Sequence, residues 1–158
     1  MKAFSKGLLA AACVLATVGL SGAAFAQDAE TVLKNRQDLM KAQGKDLGAV
    51  KAFIDGKGDL AAAQAAGADL PKRLQQVPSL FPKGTGMAEL PGKSYAKPEI
   101  WADWDKFNTA DLNAQQKAVA LDAALKSGDK AKIEAAFGDM GKNGCGGCHT
   151  PFREPKKS

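Results

Sequence analysis

Hydrophobic positions recur every three or four residues in several long stretches of the chain, a period that predicts amphipathic helices. The first stretch covers residues 29–55 and ends at a glycine-rich turn, residues 56–58. The second begins near Asp59, a favourable N-cap, and continues through alanine-rich sequence to about Val77. Pro71 is expected to kink or split this second helix, because proline has no N–H to donate.

Two further helices are predicted in the second half of the chain. The third runs from Pro98 to about Lys126, since proline suits a first helical turn and Gly128 follows its end. The fourth starts at Asp129 and continues to Phe152 despite Gly138, Gly141 and Gly144, which precede the motif described below. The apolar side chains that the third helix offers for a core are Ile100, Trp101, Trp104, Phe107, Val119, Leu121 and Leu125.

A segment rich in proline and glycine, residues 78–98, separates the second helix from the third. This composition predicts a loop, and its length allows the chain to cross from one end of a bundle to the other. No segment shows the apolar–polar alternation of a strand. The sequence therefore predicts an all-α fold, an antiparallel four-helix bundle with a long crossover loop between helices 2 and 3.

The N-terminus has the features of an export signal. Lys2 and Lys6 precede an apolar run, residues 7–20, that is too short to span a bilayer comfortably, and residues 24–26 read Ala-Phe-Ala, a small-x-small cleavage pattern. We expect residues 1–26 to be a cleaved secretory signal peptide and residues 27–158 to form one domain. The alternative is an uncleaved N-terminal anchor.

The charge of the predicted mature chain is small. Without the two signal-segment lysines, 20 basic residues remain against 17 acidic ones, a net charge of +3. The lysines are spread along the chain, which argues against nucleic acid as a partner and is compatible with docking to acidic protein surfaces.

A cluster of residues that can bind a metal or a cofactor lies near the C-terminus, where the sequence reads Cys145-Gly-Gly-Cys148-His149. These are the only cysteines and the only histidine of the predicted mature chain. On a helix, Cys148 lies almost one turn from Cys145 and His149 slightly more than one turn, so the three side chains address one edge and face of a flat ring. The pattern is typical of covalent attachment of haem c, in which the thiols form thioethers and the histidine ligates iron.

Three other chemistries use the same residue types. A dithiol redox centre normally follows a strand, and no strand is predicted here. A zinc site usually has four ligands, and this cluster supplies three. A structural disulfide would close so short a loop that it would stabilise little. Haem attachment is the favoured interpretation, and export agrees with it because haem c is assembled outside the cytoplasm.

The positions of these motifs resemble a known family. A four-helix chain with its attachment motif at the far C-terminal end is similar to class II cytochromes c, the cytochrome c′ family. Three further matches are Arg36-x-x-x-Met40 in the first helix, residues 81–86 (Phe-Pro-Lys-Gly-Thr-Gly) in the loop, and residues 99–107 (Glu-Ile-Trp-x-x-Trp-x-x-Phe) in the third helix. The resemblance covers essentially all of the predicted mature chain, and it implies one covalent haem c with iron.

The resemblance also assigns roles to residues. It implies thioether bonds at Cys145 and Cys148, His149 as the proximal iron ligand, and Met40 as the distal ligand, as in low-spin relatives. It further places Arg36 near a haem propionate. Of the mature chain's methionines, Met40 is also the best placed by helix geometry, since a bundle sets the first helix across from the last; the alternative is that it only packs in the core.

We therefore expect a periplasmic monohaem cytochrome that carries single electrons and is not an enzyme, most like the low-spin Met/His branch of the family. The alternative is a high-spin cytochrome c′ with a vacant sixth site that binds nitric oxide or carbon monoxide, and a haem-free exported bundle is a third possibility. The expected partners are periplasmic redox proteins. No membrane span is expected in the mature chain, and a homodimer is a possible assembly.

Overall fold

The structure is a computed structural model that describes the backbone of residues 21–155 and the side chains of residues 28–155. Most of the predicted signal peptide, residues 1–20, lies outside the described residues. Within the described range, no helix is both long enough and apolar enough to cross a membrane.

The first two helices form a hairpin, α1 (Ser21–Ile54) and α2 (Leu60–Leu74). Asp59 caps α2, as predicted, by accepting a 2.8 Å hydrogen bond from the Ala62 backbone N–H. Pro71 does not split α2: the proline lies in the last turn, and the helix continues to Leu74. The chain then forms a short 3-10 turn, Pro78–Leu80.

The predicted third helix is divided into α3 (Glu99–Ala102) and α4 (Trp104–Ser127). Asp103 leaves the helical conformation, with φ −138° and ψ 76°, and caps α4 by accepting a 3.0 Å hydrogen bond from the Lys106 N–H. Gly128 ends α4 in the left-handed conformation, with φ +68°.

The predicted fourth helix is also interrupted. It consists of α5 (Lys130–Asp139), a π-helical segment (Met140–Cys145) and α6 (Gly146–Phe152). Asp129 caps α5 through the Lys132 N–H. The wider π turn accommodates one extra residue per turn immediately before the Cys-Gly-Gly-Cys-His sequence.

The helices form a closed ring: α1 packs against α2, α2 against α4, α4 against α5, and α5 against α1. This arrangement confirms the predicted four-helix bundle with a long crossover loop. Two residues expected in its core are solvent-exposed, Trp104 (39%) and Val119 (57%). Both lie outside the buried face of α4. Its buried apolar residues are Phe107, Ala114, Ala118, Leu121 and Leu125.

Candidate functional site

An apolar cavity of about 550 Å³ opens between α1, the crossover loop and α6. This volume lies within the range of small-molecule and cofactor sites. Its walls are formed by Leu33, Arg36, Gln37, Met40, Lys41, Val77, Phe81, Lys93, Tyr95, Ala96, Ile100, Phe107, Cys148, His149, Phe152 and Arg153.

The α6 wall carries the cysteine–histidine motif. Cys148 and His149 both line the cavity and are half-buried. Cys145, at the end of the π segment, is half-buried against the hydrophobic core and is not part of the cavity lining. The structure therefore brings two of the three motif residues directly to the cavity and holds the third one turn away.

Burial sets the protonation of these groups. It raises the pKa of the Cys148 thiol to about 11 and raises the pKa of Cys145 as well. A reactive dithiol centre needs a lowered thiol pKa, so the environment argues against that alternative. Burial, aided by the charge of Arg153, lowers the pKa of His149 and favours the neutral imidazole, the form that ligates metals. Among the described residues, no three His, Cys, Asp or Glu side chains converge as a zinc site would require.

The α1 wall carries Met40, which is half-buried and lines the cavity. The two other methionines that the structure describes are not part of the lining: Met87 belongs to the crossover loop, and Met140 is fully buried where α5 meets the π segment. The placement of Met40 agrees with its predicted role, and its ligation of iron stays a prediction.

Arg36 lines the cavity one helical turn before Met40 and is only 5% exposed. Its guanidinium lies 4.4 Å from the centre of the Phe81 ring, in cation–π contact. Burial lowers the pKa of Arg36 to about 10, so the group stays charged at neutral pH. Among the described residues it has no carboxylate partner, and its predicted contact with a haem propionate stays a prediction.

An aromatic cluster closes the inner end of the cavity. The ring of Phe107 lies 4.9 Å from that of Phe81 and 5.4 Å from that of Phe152, centre to centre. Trp101 is half-buried and joins the cluster through a hydrogen bond to the Phe81 carbonyl. A flat apolar ring system would therefore meet aromatic side chains from the loop, α4 and α6.

Several cavity residues were not predicted from the sequence. Leu33 lies on the apolar row of α1, so its spacing from Arg36 and Met40 could have found it. Tyr95 and Ala96 sit in the loop, where no periodic pattern marks a residue as facing the cavity. Their position depends on long-range contacts that sequence spacing does not report.

Comparison with known proteins decides the family. The family model described as Cytochrome C′ matches residues 31–153. The chain belongs to the cytochrome c′ family. The cytochrome c′ of Pararhodospirillum photometricum is 32% identical over 127 residues, which cover 79% of this chain and 98% of the relative. The cytochrome c-556 of Rhodopseudomonas palustris is 33% identical over 131 residues, covering 79% and 84%.

Solved structures agree with this assignment. Cytochrome c′ from Rubrivivax gelatinosus matches with a TM-score of 0.67 and 32% identity, covering 78% of this chain and 94% of its own. A nitric oxide complex of a variant of cytochrome c′ from Alcaligenes xylosoxidans matches with a TM-score of 0.70 and 31% identity, covering 81% and 97%. These names favour the alternative, a cytochrome c′, over the low-spin Met/His branch that we expected.

The cofactor of the family is one covalently attached haem c with iron, which confirms the cofactor predicted from the motif. The residues present fit this group. The cavity has apolar and aromatic walls, two motif residues on one side, and a buried cation without a carboxylate partner among the described residues. The polar partners of Arg36 among the described residues are neutral, and a buried charge without a counter-charge favours a bound anionic group.

Proposed function

We propose that this cytochrome c′ holds one haem c through thioether bonds at Cys145 and Cys148, with His149 as the proximal iron ligand and a sixth position open to nitric oxide or carbon monoxide. The observation that supports this most directly is the apolar cavity beside His149, in a family that includes a relative solved with bound nitric oxide. In this proposal the protein binds a gas and is not an enzyme.

When bound, the haem supplies an iron centre that takes an axial ligand and exchanges one electron. The chain's own residues provide its surroundings. His149 is kept neutral by burial, and the apolar side chains of Leu33, Phe81 and Ile100 exclude water from the cavity. Met40 stands on the α1 wall, where its side chain acts as a steric gate to an incoming ligand.

The second candidate function is the electron carrier that we expected from the sequence. In it, Met40 binds the iron opposite His149, and a Met/His pair raises the reduction potential. The observation in its favour is that Met40, alone among the described methionines, lines the cavity. Its partners would be redox proteins that contact the exposed part of the site.

Binding of carbon monoxide to the reduced protein separates the two functions. If the sixth position is open, the unmodified protein binds carbon monoxide completely, Met40→Leu behaves the same because it keeps the bulk of the side chain, and Met40→Ala binds faster. If Met40 is a ligand, the unmodified protein resists carbon monoxide, and both variants bind it. Met87→Leu is the matched control, because it removes a thioether outside the cavity lining and leaves binding unchanged in either case.

We further propose that the protein works in the periplasm after removal of residues 1–26. The support is the Ala-Phe-Ala pattern at residues 24–26, together with a cofactor that is attached outside the cytoplasm. The mass of the exported holoprotein tests this: a chain that begins at Gln27 and carries one haem is expected, and a full-length chain contradicts it. The same preparation, analysed by light scattering, tests whether the protein forms a homodimer.

A further inference from the structure

The guanidinium of Arg36 makes four hydrogen bonds to the crossover loop. Nη1 donates to the Leu80 carbonyl oxygen at 3.1 Å and to Thr85 Oγ1 at 3.0 Å. Nη2 donates to the Thr85 carbonyl oxygen at 2.7 Å and to Ser94 Oγ at 3.1 Å. A guanidinium has five N–H bonds, and four of these are directed to loop oxygens.

Thr85 and Ser94, which accept three of these bonds, are buried and hydrogen-bonded to each other. Thr85 is 2% exposed and Ser94 is 3% exposed. Thr85 Oγ1 also donates to the Pro82 carbonyl at 2.8 Å, and Ser94 Oγ donates to the Thr85 carbonyl at 3.0 Å. Without the guanidinium, the Thr85 and Leu80 carbonyls would each lose a donor, an unfavourable change wherever water does not replace it.

The other end of the loop is attached to the opposite wall of the cavity. Ala96 and Arg153 form an antiparallel β-bridge, in which the Lys97 N–H donates to the Phe152 carbonyl at 3.0 Å and the Glu154 N–H donates to the Tyr95 carbonyl at 2.8 Å. These bonds join the loop to the segment that leaves α6, three to five residues after His149. The loop thus connects the helix that carries Met40 to the helix that carries His149.

We propose that Arg36 is a positioning residue that fixes the crossover loop to α1 and so sets the separation of the α1 and α6 walls. This role is distinct from a contact with a haem propionate and goes beyond the proposed function. Both Nη atoms are committed to the loop, which leaves the single Nε–H bond for an anion. The planar fork is essential to the proposal, because it reaches Leu80, Thr85 and Ser94 at once.

Hydrogen exchange of the reduced holoprotein, followed by mass spectrometry, measures how firmly the loop is held. In Arg36→Gln we expect peptides within residues 82–94 to exchange at least about tenfold faster, while peptides from α2 and α4 keep their rates. Arg36→Lys keeps the charge but loses the planar fork of N–H donors. Its loop peptides should therefore exchange as fast as those of Arg36→Gln. Lys41→Gln is the matched control: it removes a cation from the same helix and cavity wall, where Lys41 pairs with the exposed Asp38, and it should leave the loop unchanged.

If Arg36→Gln does not fold, two substitutions of the loop residues that accept its hydrogen bonds test the same proposal. Thr85→Val and Ser94→Ala each remove one acceptor without changing the charge, and each should accelerate exchange within residues 82–94 by a smaller factor. Trypsin gives an independent readout, because Lys83 and Lys93 are exposed loop residues that should be cut faster in all of these variants.

Several results would overturn the proposal. Unchanged loop exchange in Arg36→Gln, with a shifted haem spectrum, would assign Arg36 to the cofactor alone. Restoration of the loop by Arg36→Lys would show that charge suffices and that the fork is not required. Equal acceleration in α2, α4 and the loop would show a general loss of stability in place of a local one.

Discussion

The indole Nε1 of Trp101 donates a 2.8 Å hydrogen bond to the carbonyl oxygen of Phe81. The bond joins the short helix α3 to the start of the crossover loop. The Phe81 side chain is buried, and its ring contacts both the Arg36 guanidinium and the ring of Phe107. Trp101 therefore fixes the backbone position of an aromatic residue in the cavity wall.

Replacing Trp101 by phenylalanine should destabilise the fold by about 1–3 kcal/mol, because the Phe81 carbonyl loses its donor and the smaller ring leaves space. Urea unfolding of the holoprotein measures the change. Trp104→Phe is the control, since Trp104 is 39% exposed and should lose less. Equal losses in the two variants would contradict the importance of the Trp101 hydrogen bond.

Gly67 allows α2 and α4 to approach closely. A Cβ atom at this position would lie 2.3 Å from Leu125 Cδ1, a fully buried side chain. Gly67→Ala should therefore destabilise the protein by about 1–3 kcal/mol, measured by thermal or urea unfolding. Gly48→Ala on α1 has no atom within 4 Å of the added Cβ and should stabilise by about 0.5–1 kcal/mol. A neutral Gly67→Ala would show that the two helices can separate without cost.

Asp111 is a buried carboxyl group on α4, 2% exposed, that accepts a 2.7 Å hydrogen bond from Gln115 Nε2. Burial raises the pKa of Asp111, against the opposing effect of this hydrogen bond. Because the pKa is higher in the folded than in the unfolded chain, stability falls as the pH rises through the folded value. Cys148 faces this carboxyl group, and in the proposed holoprotein it would be an uncharged thioether.

Asp111→Asn keeps an acceptor for Gln115 and removes the ionisation. The variant should be more stable than the unmodified protein at pH 7, and its advantage should shrink as the pH falls through the raised folded pKa of Asp111 and be lost by about pH 4, the ordinary value of an aspartate. Urea unfolding at a series of pH values measures this. A constant difference at all pH values would mean that the pKa of Asp111 is the same in the folded and unfolded chains, and would contradict a raised pKa.

The two cysteines should each hold the haem independently. Cys145→Ala and Cys148→Ala, made singly, should keep the haem bound after extraction with acidified acetone, because one thioether remains. The double variant should release it. Absorbance of the extracted fraction gives the result, and retention of haem by the double variant would contradict thioether attachment.

Local signals in the sequence predicted most of the helical architecture. Asp59 and Asp129 cap helices where the sequence placed them, and Gly128 ends α4 in the conformation that glycine favours. The cofactor followed from the spacing of one short motif. Asp103 was missed because it interrupts an apolar row that otherwise reads as continuous helix, and the π segment leaves no periodic trace in a glycine-rich sequence.

The sequence by itself determined the features that depend on neighbours within one or two helical turns: the four helical stretches, their caps and the attachment motif. The tertiary structure decided the partners of Arg36, whose hydrogen bonds reach loop residues 44 to 58 positions away. It also decided that Met40 and His149 share one cavity, and that the loop ties the helices that carry them. Such contacts depend on how the whole chain closes on itself, because a buried polar group takes whichever partners the packed bundle brings within hydrogen-bond distance.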